Sequence, residues 1–256
     1  MFVAQIHFDL QPTADRQDVS SAVYTLLGSL RTSGQICGHG WPVAFGEGTC
    51  TAYVLLPAED ALAPDHESSY VRKNLAGLAQ AGVSEPRSTV LGKDLDSEAP
   101  CACGTPPSYI LYTNFLSQEP PVRCGGCFRP VPLYSLPPTN DEGYSDAISW
   151  QWNYQDCDSL QMGCQVLERA ATREISRVES ILSQKGLRIC QEWAEATGVP
   201  FYYYLYRYGA RSLAQERKRL CPSCGGPWLL EEPWHLFDFK CERCRLLSNI
   251  SWDVRG

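Results

Sequence analysis

Cys221, Cys224, Cys241 and Cys244 are spaced C-x2-C-x16-C-x2-C, and no other feature of the 256 residues limits the fold as tightly. Two residues between cysteines allow a tight knuckle. Both sulfurs of a knuckle can then reach one ion at about 2.3 Å, and two knuckles complete a tetrahedron. The spacing lies in the zinc-ribbon range. Gly225 and Gly226 follow the first knuckle, and glycine tolerates the positive φ that aims backbone N–H groups at thiolates. Between the knuckles, WLLEEPWHLFDF reads as a short hairpin with Glu231, Glu232 and Pro233 near its turn. Disulfides would need an oxidising compartment. A thioredoxin-like couple would need one C-x-x-C in a βαβ setting. Rubredoxin-like iron suits Cys221-Pro-Ser-Cys224-Gly225, but Cys241-Glu-Arg-Cys244-Arg245 lacks the matching glycine. Zinc is the ion expected. Four protein ligands leave no open position, so such a site is structural.

A second set, Cys101, Cys103, Cys124 and Cys127, has the looser form C-x-C-x20-C-x2-C. Gly104, Gly125 and Gly126 accompany it, and the intervening SYILYTNFL has strand-like composition before Pro120 and Pro121 break it. A second four-cysteine zinc site is expected here, giving two ions per chain. The remaining cysteines, 37, 50, 157, 164 and 190, are dispersed and read as small core residues.

Residues 2–10 alternate, with Phe2, Ala4, Ile6, Phe8 and Leu10 on one side, the pattern of a half-buried strand. DRQDVSSAVYTLLGSL reads as an amphipathic helix, CTAYVLLP as a strand apolar on both faces, HESSYVRKNLAGLAQAG as a helix ending at Gly82, and PRSTVLG as a strand. This βαβαβ order implies a small α/β domain. Further on, AISWQWNYQD reads as a strand. A long helix is expected from about Asp158 to Lys185, with Leu167, Ala171, Ile175, Val178 and Leu182 as its buried stripe and Gly186 as its end. LRICQEWAEATG follows as a helix stopped by Gly198, then PFYYYLYRYG as an aromatic strand. The fold class expected is α+β. It comprises an α/β domain over 1–95, a four-cysteine zinc-stapled segment over 96–140, a helical region with flanking strands over 141–214, and a zinc ribbon over 215–256.

GVPFYYYLYRYG, the ribbon segment RKRLCPSCGGPWLLEEPWHLFDFKCERCRLLSNISWDVR, CGGCFRPVPLYSLP and DSLQMGC together resemble a bacterial family of zinc-ribbon-containing proteins of unknown function. Nucleic-acid binding is ascribed to that family on the strength of the ribbon. The resemblance covers residues 96–256 well and the first 95 loosely. It implies zinc at Cys221, Cys224, Cys241 and Cys244 and brings no known activity.

The formal charge is −7, which opposes generic affinity for nucleic acid or anionic membrane. Residues 205–256 nevertheless carry nine Lys and Arg against six Asp and Glu. Arg217, Lys218, Arg219, Lys240, Arg243 and Arg245 are therefore the candidate nucleic-acid contacts, with neighbouring aromatics available for base stacking. Against this, four thiolates on one zinc carry two net negative charges, so two sites would take the chain from −7 to −11. Arg219, Lys240, Arg243 and Arg245 adjoin ligand cysteines and can serve to offset that charge. The alternative partner is a basic protein gripped by an acidic, zinc-stapled module, an adaptor or the antidote to a toxin. No nucleophile elbow, H-E-x-x-H or Walker loop is present, and no motif identifies a small-molecule substrate. The chain is expected to be non-catalytic. The start, MFVAQIHFDL, lacks a basic n-region, and no apolar run approaches the roughly 20 residues that span a bilayer. A cytoplasmic protein with no membrane partner is expected.

Overall fold

A computed structural model describes residues 1–141 and 143–254. Among them no helix is long and apolar enough to cross a membrane. The fold is mixed α+β with two sheets. The chain divides into two compact units. One comprises Met1–Ala102, Gln118–Pro120 and Arg129–Ser145; the other comprises Cys103–Ser117, Pro121–Phe128 and the chain from Asp146 on.

The first unit is built from β1 (Phe2–Asp9), α1 (Arg16–Thr32), β2 (Val43–Phe45), β3 (Thr49–Leu56), α2 (Ser69–Gly77) and β4 (Arg87–Lys93). The alternation of β1 sends Ala4, Ile6 and Phe8 into the core. Asp15 starts α1 by accepting hydrogen bonds from the N–H groups of Gln17 and Asp18, which satisfies donors a helix start leaves open. Val23, Leu26, Leu27 and Leu30 then form the buried stripe and share one core with β1 and β3. Ser68 caps α2, which continues as a tighter turn through Ala81 until Gly82, at φ +72°, ends it. The three-residue β2 is missing from the βαβαβ reading. Its presence makes the order βαββαβ, with sheet order β2-β3-β1-β4 and every neighbouring pair antiparallel. That is the split-βαβ, ferredoxin-like arrangement. One side of β3 is wetter than its apolar sequence suggests, since Tyr53 is exposed.

The second unit contains β5 (Tyr109–Leu111), β6 (Val122–Cys124), most of α3 (Ser145–Gly163), α4 (Glu168–Ser176), α5 (Ile181–Thr197), β7 (Phe201–Leu205), α6 (Leu213–Glu216), β8 (Leu229–Trp234), β9 (Phe237–Cys241) and β10 (Leu246–Ser248). Its six-stranded sheet runs β6-β5-β7-β10-β9-β8. The aromatic strand β7 lies inside, parallel to both β5 and β10, and all five of its residues are buried. Phe201 stacks on Trp193 and Tyr109, and Tyr203 meets Trp150 edge to face.

The helical region differs from its sequence reading. AISWQWNYQD belongs to α3, not to a strand. Ile148, Trp150, Trp152 and Tyr154 do alternate, but Trp152 is exposed, while Ala147, Trp150, Tyr154, Asp158 and Gln161 recur every three or four residues on the buried face. Polar Gln151, Asp158 and Gln161 on that face hide the helical period. The long helix expected to Lys185 is broken twice. Cys164 and Leu167 take positive φ between α3 and α4, and Leu167 is exposed rather than part of the stripe. Gly186 lies inside α5 instead of ending a helix. A Cβ there would overlap the Tyr203 ring and lie 2.7 Å from Trp150 Nε1, so glycine is used to bring the helix against β7. Gly198, at φ +69°, does end α5. The hairpin turn falls at His235 and Leu236, beyond the Glu231–Pro233 stretch, which is part of β8.

Candidate metal centres

Both four-cysteine sets converge. In each of the groups Cys101, Cys103, Cys124, Cys127 and Cys221, Cys224, Cys241, Cys244, all four sulfurs lie within 4.8 Å of one another. No disulfide joins any of the thirteen cysteines. Of the dispersed ones, Cys37, Cys50 and Cys190 are buried as expected, Cys157 is half-buried, and Cys164 is exposed in the break after α3.

The C-terminal group hangs on β9 and β10. Cys241 ends β9, opposite Leu246 of β10. In the first knuckle the Cys221 N–H donates to Gly226 O and the Gly225 N–H donates to Cys221 O, each at 2.9 Å. In the second, the Cys244 N–H approaches Cys241 Sγ at 3.4 Å. Cys224 Sγ and Cys241 Sγ are 3.7 Å apart. Four sulfurs at about 2.3 Å from a common centre would be separated by about 3.8 Å in a tetrahedron, so the donor set fits an ion of that size. Burial raises the Cys221 thiol and pushes Cys241 up to about 12, while the Gly226 N–H, with the neighbouring thiols, pulls Cys224 down to about 7. Four thiols so close cannot all ionise alone, and a cation at their centre would reverse that balance.

The other group hangs on β6. Cys124 ends that strand opposite Tyr109 of β5. The Gly126 N–H approaches Cys124 Sγ at 3.4 Å, as the Cys244 N–H does at Cys241. Gly125 donates to Ser108 O at 2.7 Å, and a Cβ on it would collide with Ser108 Oγ and sit 2.9 Å from Ser108 O. The Cys101 N–H donates to Pro130 O at 2.8 Å. The three C-x2-C turns share one backbone device, a left-handed residue directly after the second cysteine: Gly225 at φ +68°, Phe128 at +61° and Arg245 at +54°. Glycine advertises this in sequence only at Gly225.

The six candidate nucleic-acid residues separate into two sets. Arg219 lies over the rings of Phe239 and Trp228, at 4.3 and 4.9 Å, and donates to Asn249 O and Ser248 Oγ. Lys240 pairs with Glu242 at 2.8 Å and lies over Trp234 and Tyr202. Arg245 pairs with the same Glu242 at 2.6 Å and donates to Tyr202 Oη. Arg217, Lys218 and Arg243 are exposed and make no ion pair among the described residues. Of the aromatics neighbouring this basic cluster that could stack on bases, Tyr204, Tyr206 and Trp228 are buried and Tyr208 is exposed.

Three family models match the chain, each described as a domain of unknown function: DUF8589 over residues 1–92, DUF2310 over 103–206 and DUF8594 over 210–254. A Haemophilus influenzae protein, described as uncharacterized, is 35% identical over 259 residues, covering 99% of each chain. This chain belongs to that protein's family. A second Haemophilus influenzae protein of the same description is 42% identical over 165 residues, 64% of this chain and 81% of that one. Among solved structures, a Deinococcus radiodurans protein provisionally assigned as an antibiotic biosynthesis monooxygenase aligns to 41% of this chain and all of its own, at 14% identity and a TM-score of 0.28. Likeness at that level carries no argument about this family. What this member displays is two four-cysteine groups able to hold metal.

Sequence reasoning names Asp158 as the start of a long helix and does not single out Gln161; both are buried on α3 beside an aromatic cleft. Their signal, two polar residues three apart, is invisible while the segment around Trp150 is read with the period of a strand.

Proposed function

We propose that each four-cysteine group holds one structural zinc ion and that the protein is a non-catalytic binding protein of the cytoplasm, where thiols stay reduced. The observation that carries this is the convergence of eight sulfurs into two groups, each with all sulfurs within 4.8 Å of one another. Thiolate-only sets favour zinc among common divalent ions, and four ligands per ion leave no position for substrate. Two such ions would fasten the turns at the ends of the short strands β6, β9 and β10. Structural zinc in finger peptides is worth roughly 10–16 kcal/mol, as much as the whole stability of an ordinary domain.

A basic protein partner is favoured over nucleic acid. Arg219, Lys240 and Arg245 spend their charge on Glu216, Glu242 and aromatic faces, which supports a charge-compensating role beside the zinc. Nucleic-acid contact then rests on Arg217, Lys218 and Arg243. Elemental analysis of freshly reduced protein tests the metal reading, and two zinc per chain are expected. One would remove the Cys101–Cys127 site; none would remove the proposal. Nucleic-acid affinity falling with salt and lost in an Arg217→Ala, Lys218→Ala, Arg243→Ala triple variant would reverse the order of partners.

A further inference from the structure

A cleft of about 470 Å³ opens in the second unit between α3 and the end of β7. Its walls are aromatic, including Tyr112, Tyr154, Tyr204 and Tyr206, with Tyr208 and Trp252 exposed. No Lys, Arg or His lines it. Asp158 and Gln161, one turn apart on α3, supply acceptors, and they are only 7% and 3% exposed. Asp158 Oδ2 accepts one hydrogen bond, from the Phe115 N–H at 2.9 Å. Among the described residues no donor reaches Oδ1, and no cation pairs with the carboxylate. Gln161 Oε1 is buried with no hydrogen-bond partner.

Each feature is costly in isolation. A buried carboxylate without a cation and a buried carbonyl without a donor are both rare in folded proteins. Burial raises the Asp158 carboxyl above its ordinary range despite the Phe115 hydrogen bond. Both groups ask for N–H donors. The aromatic faces around them attract positive charge. The volume lies in the range of small-ligand sites. We propose that this cleft binds an organic cation, an ammonium or guanidinium on an apolar stem, whose charged head pairs with Asp158 and donates to Gln161 while its stem packs on the tyrosines. This goes beyond the metal reading, because none of its residues is a cysteine ligand.

The bearer of that cation can be a free amine or a basic side chain of a protein. Calorimetric titration of the intact, zinc-replete protein with agmatine, with a blocked arginine peptide and with guanosine separates the cases. Saturable binding of agmatine or the peptide is expected, the tighter of the two naming the source. Asp158→Asn keeps an acceptor for the Phe115 N–H but removes the charge, and should weaken binding at least tenfold with an unchanged melting temperature. Should that variant fail to fold, Tyr208→Ala at the exposed wall should weaken binding several-fold in a folded protein. Guanosine binding without either cation would overturn the proposal in favour of a neutral planar ligand. Cation binding indifferent to Asp158 and Tyr208, or no binding, would overturn it outright.

Discussion

His235 Nε2 donates a hydrogen bond of 2.8 Å to the carbonyl oxygen of Gly125. The first residue is the left-handed tip of the C-terminal hairpin, and the second sits inside the Cys124–Cys127 turn. The His235 ring also stacks on Phe128, the residue after that turn, with centroids 4.9 Å apart. The hairpin carried by one four-cysteine group thus buttresses the turn of the other. His235→Ala should lose the hydrogen bond, worth about 1 kcal/mol, and the stacking on Phe128, worth about 0.5–1.5 kcal/mol, while the left-handed strain at φ +56° stays as it is because histidine already bears it. Urea denaturation should show the loss, and metal release from the Cys101–Cys127 group to a chelator should quicken although no ligand has changed.

Removing a ligand tests how far the damage spreads. Cys241 is both one of the four clustered sulfurs and a rung of the sheet, paired with Leu246, and β10 in turn pairs with β7. Cys241→Ser should therefore strip hydrogen-exchange protection from β8, β9 and β10 and lower it in β7. The first unit has its own core of Phe8, Val23, Leu26, Leu27 and Val54 and should keep its slow amides. Equal loss in both units would contradict this.

Two helix glycines should respond oppositely to alanine. Alanine is the better helix former by about 1 kcal/mol. A methyl group on Gly28 in α1 would meet nothing within 4 Å, so Gly28→Ala should stabilise by up to that amount. Gly186 faces Tyr203 and Trp150 at overlap distance. Overpacking a core costs about 1–3 kcal/mol, so Gly186→Ala should destabilise despite the better propensity. Paired denaturation midpoints decide both signs.

The contrast shows what the sequence can and cannot convey. Both four-cysteine groups are legible because C-x2-C spacing is local and its chemistry is singular. Strand β1 and helix α1 are legible because their apolar periods are clean, and β3 because its run is β-branched and apolar. The segment from Ala147 to Gly186 is not. Its aromatics happen to alternate, its buried helix face carries Gln151, Asp158 and Gln161, and its glycine answers to a tertiary contact with Tyr203. The basic cluster is legible as a cluster, but sequence does not tell an arginine that lies over Phe239 from one in solvent.

Arg219 and Arg217 make that difference measurable. Arg219→Ala would remove two cation–aromatic contacts and the hydrogen bonds to Ser248 and Asn249. A loss of about 2–3 kcal/mol is expected, since charge-assisted hydrogen bonds and desolvated cation–π contacts are each worth about 1–2 kcal/mol or more. Arg217→Ala, at an exposed site, should stay within about 0.5 kcal/mol. Thermal melts of the two variants distinguish a structural arginine from one available to a partner.

Glu216 gives the pH dependence. Its carboxylate is buried, accepts two hydrogen bonds from Arg207 Nε and Nη2 at 3.0 and 2.7 Å, and receives the Ser251 N–H at 3.2 Å. Burial opposes its ionisation, but the Arg207 hydrogen bonds and the charges of Arg219 and Arg207 outweigh it, so the carboxyl titrates below its usual range. A depressed carboxyl contributes stability that is complete above its unfolded value of about 4.3 and lost as pH falls through the folded value. Glu216→Gln should therefore cost stability at pH 7, about 3 kcal/mol for breaking a buried pair, and this cost should shrink as pH drops below about 4.3. Thiolates release metal in the same acid range, so the informative quantity is the difference between wild type and variant at each pH, measured at fixed free zinc. A difference that does not change with pH would mean that Arg207 and Glu216 contribute shape rather than charge.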